Sequence, residues 1–412
     1  MNCKPLLRFV IVLAAWTVAH AGNVPDSKKE ALPKPPPLPP LQSLQLEPAS
    51  LTLQDGWDAR RVLVWGQTKS GEKIDLSGQA QFKAQSDMLE IVDGFIQPKA
   101  KGEGEILVSA AGLQTRLPVK ILSADKSGVR FVRDVMPVMS KVGCNAGTCH
   151  GSAKGKNGFK LSLRGYDPEF DYQALINDVS GRRFNRVNVD DSLMLLKPTG
   201  EVPHEGRQVI KPNSREYHLL RQWIAEGAKY ENPASARATK LEVLPSEILL
   251  SLPGMSQQVI VLAHYPDGSV RDVTRDAVLS SNNDEIAAVK ESVITAVRRG
   301  EAAVLIRYEG NYAAKEIAIM GDRTGFQWAD VPEFNYIDQH VNAKLKKMKI
   351  VPSELCTDAE FIRRVTLDLT GQPPSAERVR AFLDDKTPSR QKREKFVDEL
   401  LGSKDYVEFW AN

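Results

Sequence analysis

Short runs of alternating apolar and polar residues dominate two stretches of the chain, at about 44–122 and 241–320. Alternation with a period of two is typical of half-buried strands, and Gly-containing pairs such as Asp55-Gly56 and Asp93-Gly94 favour hairpin turns. In the first stretch the strand-like runs are 51–53, 61–65, 106–109 and 117–121. Each stretch is therefore predicted to be an antiparallel β-sandwich.

The second stretch repeats the pattern of the first. Val62-Leu63-Val64 corresponds to Val259-Ile260-Val261, and the run 101–108 corresponds to 299–306. The members of each pair lie about 200 residues apart and occur in the same order, which predicts a duplicated domain rather than a solenoid.

Apolar residues follow helical spacing in the two remaining stretches, 129–230 and 334–412. In the first, helices are predicted over Phe131–Met139 and Tyr217–Ala225, the latter starting near Ser214. In the second, proline-containing breaks separate helices predicted at 336–348, 358–369, 376–383 and 391–401. The chain stops within an aromatic helical run, so we expect a truncated all-α domain.

The N-terminus has the pattern of an export signal. Basic residues precede an apolar run, and Ala19-His20-Ala21 forms a small-x-small cleavage site, which predicts a signal peptide over 1–21. Residues 22–43 are Pro-rich and predict a stiff spacer. We therefore expect an exported protein that is periplasmic, cell-surface or extracellular and has no transmembrane span after cleavage.

The charge balance limits the possible partners. Lys and Arg total 55 and Asp and Glu total 52, which leaves a net charge of +3, so no global field favours nucleic acid. No hydrolase motif is present, because Ser152 near His150 has no third triad member and Asp190-Asp191 is typical of a solvated turn. An electron carrier is predicted in preference to an enzyme for this portion of the chain.

The chemistry of the chain concentrates in 143–151, where Cys144, Cys149 and His150 lie together. Two thiols followed by an imidazole are the groups that attach a covalent haem, although four residues separate the cysteines here instead of two. A disulfide around a small loop and a zinc site completed by another His are the alternatives.

Segments 131–135, 143–151 and 219–228 together resemble the planctomycete-type cytochrome c domain. The phrase 265–274 resembles the bacterial immunoglobulin-like domains of group 2, and 361–374 resembles the helical domain of unknown function that accompanies such cytochromes. The resemblance implies two all-β immunoglobulin-like sandwiches, at 44–122 and 241–320. It also implies a cytochrome c-like α-helical domain at 129–230 between them and a partial all-α domain at 334–412 after them.

For the site, the resemblance implies covalent haem c anchored by Cys144 and Cys149, with His150 as the proximal iron ligand. The family's Met-Pro-Pro phrase is replaced by Glu-Val-Pro-His, so His204 is the candidate for the distal ligand and Met194 is the alternative.

The function expected from this resemblance is exported haem-binding electron transfer, with a redox partner that the sequence does not define. The alternative is a cell-surface or extracellular interaction protein whose cytochrome-like domain is haem-free and held by a disulfide. Cell-surface or polysaccharide partners of the sandwiches are expected in either case.

Overall fold

The computed structural model describes residues 32–126, 128–179, 181–231 and 233–411. The chain forms two compact units, Met1–Asp322 and Arg323–Asn412. The predicted signal peptide and the first part of the predicted spacer lie outside the described residues. In the part of the chain that is described, no helix combines the length and apolar character needed to cross a membrane.

The first β region follows from hairpin pairing of alternating strands. Its strands are β1 (Leu41–Glu47), β2 (Leu51–Leu53), β3 (Leu63–Thr68), β4 (Lys73–Asp75), β5 (Gln81–Ala84), β6 (Leu89–Val92), β7 (Phe95–Pro98), β8 (Gly102–Ala110) and β9 (Leu113–Ile121). They form sheets of order β1-β3-β4, β2-β9-β8-β5 and β6-β7, and only the pairing of β2 with β9 is parallel. Alternate residues of β8 and β9, such as Ile106 and Leu117, enter the core.

The second β region has the same strand order. Its strands are β10 (Lys240–Leu244), β11 (Ile248–Leu250), β12 (Ser256–Gln258), β13 (Ile260–His264), β14 (Val270–Asp272), β15 (Val278–Ser281), β16 (Ala287–Lys290), β17 (Val293–Ala296), β18 (Gly300–Tyr308) and β19 (Asn311–Ile319). The sheets are β10-β13-β14, β11-β19-β18-β15 and β12-β17-β16. Apart from the added β12, each sheet has its counterpart in the first region, as a duplication requires.

Short helices occupy the stretch between the two β regions. A π-helical turn, Phe131–Val135, continues into α1 (Met136–Lys141), followed by α2 (Pro168–Ile176), α3 (Leu193–Thr199), α4 (Arg215–Ala225) and α5 (Pro233–Ala236). Ser214 accepts a hydrogen bond from the Tyr217 N–H at the start of α4, as its N-cap position predicts. We call residues 128–231 the helical segment.

The helical segment does not show the predicted cytochrome c fold. Its centre is filled by aromatic side chains that contact one another: Phe131 and Trp223 have ring centroids 5.2 Å apart, and Tyr172 and Tyr230 4.8 Å apart. The longest helix, α4, has 11 residues. An apolar core of this kind accounts for the helical periodicity without a prosthetic group at its centre.

The C-terminal unit is helical, which confirms that part of the predicted fold class. It comprises α6 (Tyr336–Lys347), α7 (Asp358–Thr370), α8 (Ala376–Asp384), α9 (Ser389–Leu401) and α10 (Lys404–Trp410). Ile362, Phe382, Phe396 and Leu400 form its small core. Thr357 and Glu360 form a capping box at the start of α7.

Candidate functional site

The Cys/His stretch is a compact loop closed by backbone hydrogen bonds. The Cys149 N–H donates to the Ala146 carbonyl (2.9 Å), and the His150 N–H donates to the Cys144 carbonyl (3.1 Å). Gly151 is needed here because a Cβ at that position would lie 2.1 Å from the Asn145 carbonyl oxygen. Glycine at this position therefore allows two backbone segments of the loop to approach each other closely.

Both cysteines are half-buried, but only the Cys144 side chain packs against the apolar core of the helical segment. Withdrawal of the Cys144 thiol from water raises its pKa to about 12. Both are free thiols in the structure, so the disulfide alternative is not formed there.

His150 lies in a stack of side chains that the sequence does not predict. Its ring centroid is 4.7 Å from that of Phe159, its Nδ1 lies 2.9 Å from the Phe159 carbonyl oxygen, and the Arg183 guanidinium lies 3.7 Å from the Phe159 ring centroid. Burial lowers the pKa of His150, and the nearby positive charges of His204 and Arg183 lower it further, against the effect of the Phe159 carbonyl. The sequence does not indicate that Arg183 lies near His150, because the two residues are far apart along the chain.

The structure brings His204 towards His150. The His204 ring makes a 2.9 Å contact with the Arg207 carbonyl oxygen through Nδ1, and His204 is among the groups that lower the pKa of His150. An ion pair of 2.7 Å between Lys156 and Glu205 joins the loops that carry the two histidines. Met194, the alternative distal ligand, packs against the apolar core instead.

A second feature of the helical segment is a rigid stretch with apolar side chains turned outward, at residues 163–170. Leu163, Tyr166 and Phe170 are 50%, 72% and 41% exposed, and we call these three side chains the 163–170 surface. Beneath them the buried Asp171 carboxylate accepts hydrogen bonds from both the N–H and the hydroxyl of Ser162, the latter at 2.7 Å.

Further hydrogen bonds fix the same stretch. Asp167 caps α2 by accepting from the Phe170 N–H (3.1 Å), and Arg237 donates to the Tyr166 carbonyl (2.9 Å). The apolar side chains are therefore held outward by a backbone whose polar groups are satisfied.

An ion pair and two hydrogen bonds to backbone carbonyls join the helical segment to the second β region. Arg215 on α4 makes a bidentate pair with Asp276, with nitrogen–oxygen distances of 2.7 and 2.9 Å. Lys141 donates to the Ala277 carbonyl (2.6 Å), and the Tyr308 hydroxyl donates to the Arg133 carbonyl (3.2 Å). The small cavity at this junction is about 20 Å³, which is room for a water molecule rather than a substrate.

Asp190 also has a structural role. Its carboxylate accepts from the Arg221 guanidinium at 2.7 and 2.9 Å and from the Tyr217 hydroxyl at 2.7 Å, which holds the pKa of Asp190 down at about 2. Asp190 is thus tied to α4, although its side chain remains 46% exposed and Asp191 is exposed, as expected for a solvated turn.

Comparison with protein families gives one match, in the C-terminal unit. Residues 336–412 match the family described as PSCyt2, a protein of unknown function (DUF1549). This confirms the part of the resemblance that concerns the helical domain of unknown function, and it shows no cytochrome c domain. No curated protein matches the chain.

Solved structures of low similarity cover about 70% of the chain. Domains 5–6 of the S-layer protein SbsC are 9% identical with a TM-score of 0.28, covering 69% of this chain and 99% of that one. Domains 4–9 of the same surface-layer protein are 8% identical with a TM-score of 0.28, covering 69% and 32%. The sialic acid binding region of a Streptococcus sanguinis adhesin is 9% identical with a TM-score of 0.16, covering 71% and 81%.

The prediction of a haem-binding electron-transfer protein is wrong. Among the residues that the structure describes, no group of three or more His, Cys, Asp or Glu side chains is placed to hold a metal ion, which also leaves the zinc alternative unsupported. The Cys144 side chain packs against the apolar core, and Gly151 allows a close backbone contact. Attachment of haem c to Cys144 and Cys149, with His150 and His204 as ligands, is a separate point that stays a prediction.

The different environments of the cysteines lead to a testable difference in reactivity. With a pKa of about 12, only about 1 in 10,000 Cys144 thiols is ionised at pH 8. We expect iodoacetamide to modify Cys144 at least about 100-fold more slowly than Cys149 in the reduced, folded protein, as measured by peptide mass spectrometry. In urea the two rates should become similar. Equal rates in the folded protein would show that Cys144 is not buried.

Proposed function

We propose that the chain is a cell-surface or extracellular interaction protein. In this proposal the two β regions are immunoglobulin-like sandwiches, the second of the bacterial group 2 type, and the helical segment between them presents the contact surface. The observation that carries the proposal is the exposure of Leu163, Tyr166 and Phe170 on a stretch fixed from beneath by Asp171. Exposed apolar clusters with a polar surround are typical of interaction sites.

The composition of the 163–170 surface suits a partner with both apolar and polar groups. Tyr166 and Phe170 supply aromatic area, and the Lys160 ammonium lies 5.9 Å from the Phe170 ring centroid. Because the backbone beneath is already ordered, binding costs little conformational entropy. Surface polysaccharide of the cell envelope, with apolar ring faces and hydroxyl edges, is the partner class that we propose.

Rigid placement of this surface supports the same function. The bidentate pair between Arg215 and Asp276 and the hydrogen bond from Lys141 to Ala277 fix the helical segment on the second β region. A partner would therefore meet the 163–170 surface in a defined orientation relative to that region.

Binding to isolated cell envelopes tests the proposal. The triple variant Leu163→Ala, Tyr166→Ala, Phe170→Ala is expected to lose at least about 10-fold in affinity for envelopes, and for polysaccharide purified from them, in a pelleting assay. The matched control is the double variant Leu305→Ala, Tyr312→Ala, which removes side chains 49% and 67% exposed from the second β region.

The control variant should bind as the unaltered protein does. Absence of envelope binding by the unaltered protein, or equal losses in the triple variant and the control, would refute the proposal. Binding to whole envelopes without binding to the purified polysaccharide would reject the partner class.

A further inference from the structure

The two β regions contact each other through corresponding strands. In β3 and β4, Trp65 pairs with Asp75; in β13 and β14, Leu262 pairs with Asp272. By the same register Leu63 corresponds to Ile260, and Leu63, Trp65 and Ile260 are buried together in a cluster that joins the two regions. The same face of each sandwich is therefore used for the contact.

Two backbone hydrogen bonds across this contact are reciprocal, whereas the contacts of Arg60 with the Val270 carbonyl and of Arg271 with Asp55 lack a counterpart among the described residues. The Arg61 N–H donates to the Asp272 carboxylate at 2.7 Å, and the Gln258 N–H donates to the Asp75 carboxylate. Gln258 stands in the second region where Arg61 stands in the first, because each lies two residues before a corresponding strand residue, Ile260 or Leu63. Each region thus donates and accepts the same bond.

Both aspartates are held in the same local arrangement. Ser77 donates its hydroxyl to Asp75, and Thr274 donates its hydroxyl to Asp272. These hydroxyls in turn accept from the strand that faces the sandwich core, since the Val64 N–H donates to Ser77 at 2.9 Å and the Val261 N–H to Thr274 at 2.9 Å. In each sandwich, residues of that sandwich therefore position the aspartate that accepts a hydrogen bond from the other sandwich.

The corresponding residues Arg61 and Gln258 also contact each other. The Arg61 guanidinium donates to the Gln258 side-chain oxygen at 2.8 Å. When two copies of one domain pair about a two-fold axis, a residue meets its own counterpart only near that axis. Away from the axis, contacts between different residues occur in reciprocal pairs. Both features are present around Arg61 and Gln258, so this part of the contact has the form of an isologous dimer within one chain.

We infer that this face of the second sandwich, formed by β13 and β14 with Gln258, is a self-pairing surface whose partner is another copy of the same sandwich. Two copies would place Gln258, whose amide nitrogen donates to Ser292 of its own sandwich, opposite Gln258, and neither side chain carries a charge. Two copies of the first sandwich would instead place Arg61 opposite Arg61, and like charges at a buried contact disfavour pairing. In the folded chain the first sandwich covers this surface of the second sandwich. Arg61 favours this pairing within the chain over pairing between two copies of the first sandwich.

Full-length variants with one face disrupted test this inference. Leu63→Asp with Trp65→Asp alters only the first face, because Val62 and Val64 supply the sandwich core from the other side of the strand. This variant frees the second face and is expected to become a dimer at tens of micromolar, with a twofold rise in mass by light scattering. The mirror variant, Ile260→Asp with Leu262→Asp, should stay monomeric.

Adding Arg61→Gln to the mirror variant should allow it to dimerise, since the repulsive contact is removed. A folded first-face variant that remains monomeric, or a mirror variant that dimerises equally well, would overturn the inference. Hydrogen exchange on the unaltered protein needs no variant: the Arg61 and Gln258 amides should be protected to within about 10-fold of each other, and protection of one alone would also overturn it. None of these changes touches the 163–170 surface, so the result is independent of the proposed function.

Discussion

Asp276→Ala is expected to lower the free energy of unfolding of the first unit by about 3 to 5 kcal/mol. The Arg215 side chain is only 22% exposed, and Asp276 accounts for both of its short carboxylate contacts, at 2.7 and 2.9 Å. Removing the carboxylate leaves a largely buried guanidinium with only the more distant Glu216 carboxylate, at 3.8 Å, as an ion-pair partner. Arg275 lies close by, and burial together with the charge of Arg215 lowers its pKa to about 10, so the loss of Asp276 also leaves two arginines facing each other.

Urea unfolding followed by circular dichroism measures this effect, and two further variants define its cause. Arg215→Met with Asp276→Leu removes both charges and should recover most of the lost stability, since a buried pair contributes little net energy over apolar side chains. Glu285→Ala breaks the exposed pair with Arg298, whose side chains are 79% and 60% exposed, and should change stability by less than about 1 kcal/mol. Equal effects of Asp276→Ala and Glu285→Ala would contradict the burial argument.

Local rules predicted most of the secondary structure. The observed β8 and β9 extend the runs predicted at 106–109 and 117–121, because turn residues and alternation act within a hairpin. Ser214 and the capping box at Thr357 mark helix starts within a few residues of sequence. Repetition of the strand pattern likewise predicted two regions of the same topology.

Contacts across long sequence separations could not be predicted in the same way. The Glu231 carboxylate accepts from the Phe131 and Val132 N–H groups at 2.9 and 2.6 Å, so the first helical turn is capped from the far end of the helical segment. The pair between Arg215 and Asp276 is similarly non-local. Patterns in a single sequence cannot identify such pairs, because the secondary-structure propensity of an acidic residue is the same with or without its distant partner.

The predicted haem function failed for a related reason. The grouping of Cys144, Cys149 and His150, together with the resemblance of their surroundings to a cytochrome c domain, suggested that function. In the structure Cys144 packs against the core and His150 stacks on Phe159. The sequence does contain one indication of the contact between the two β regions. In Val62-Leu63-Val64-Trp65 both alternate positions are apolar, which indicates a strand covered on both faces.

A second large effect is expected at Glu309, whose carboxyl group has a pKa raised to about 8 by burial, although it accepts a 2.9 Å hydrogen bond from the Ala238 N–H. Its other oxygen is buried without a hydrogen-bond partner in the described structure. The ordinary pKa is 4.5, so between pH 4.5 and about 8 the unfolded chain has released this proton while the folded protein retains it. Stability should therefore fall as pH rises through this window, by up to about 1.4 kcal/mol per pH unit.

Glu309→Gln should remove this contribution because the amide stays neutral and keeps an oxygen to accept from Ala238. The variant and the unaltered protein should have similar stability near pH 4.5, and the variant should be more stable by a difference that grows to roughly 4 kcal/mol at pH 8. Asp171, with its pKa raised to about 6, and His150, with its pKa lowered from 6.5, contribute the same slopes in both proteins, so the difference between the two proteins isolates Glu309. Urea midpoints across this range measure the difference, with Glu285→Gln as the exposed control. If the variant and the unaltered protein lose stability in parallel up to pH 8, then Glu309 is already ionised in the folded protein, and the alkaline side of the stability profile has another origin.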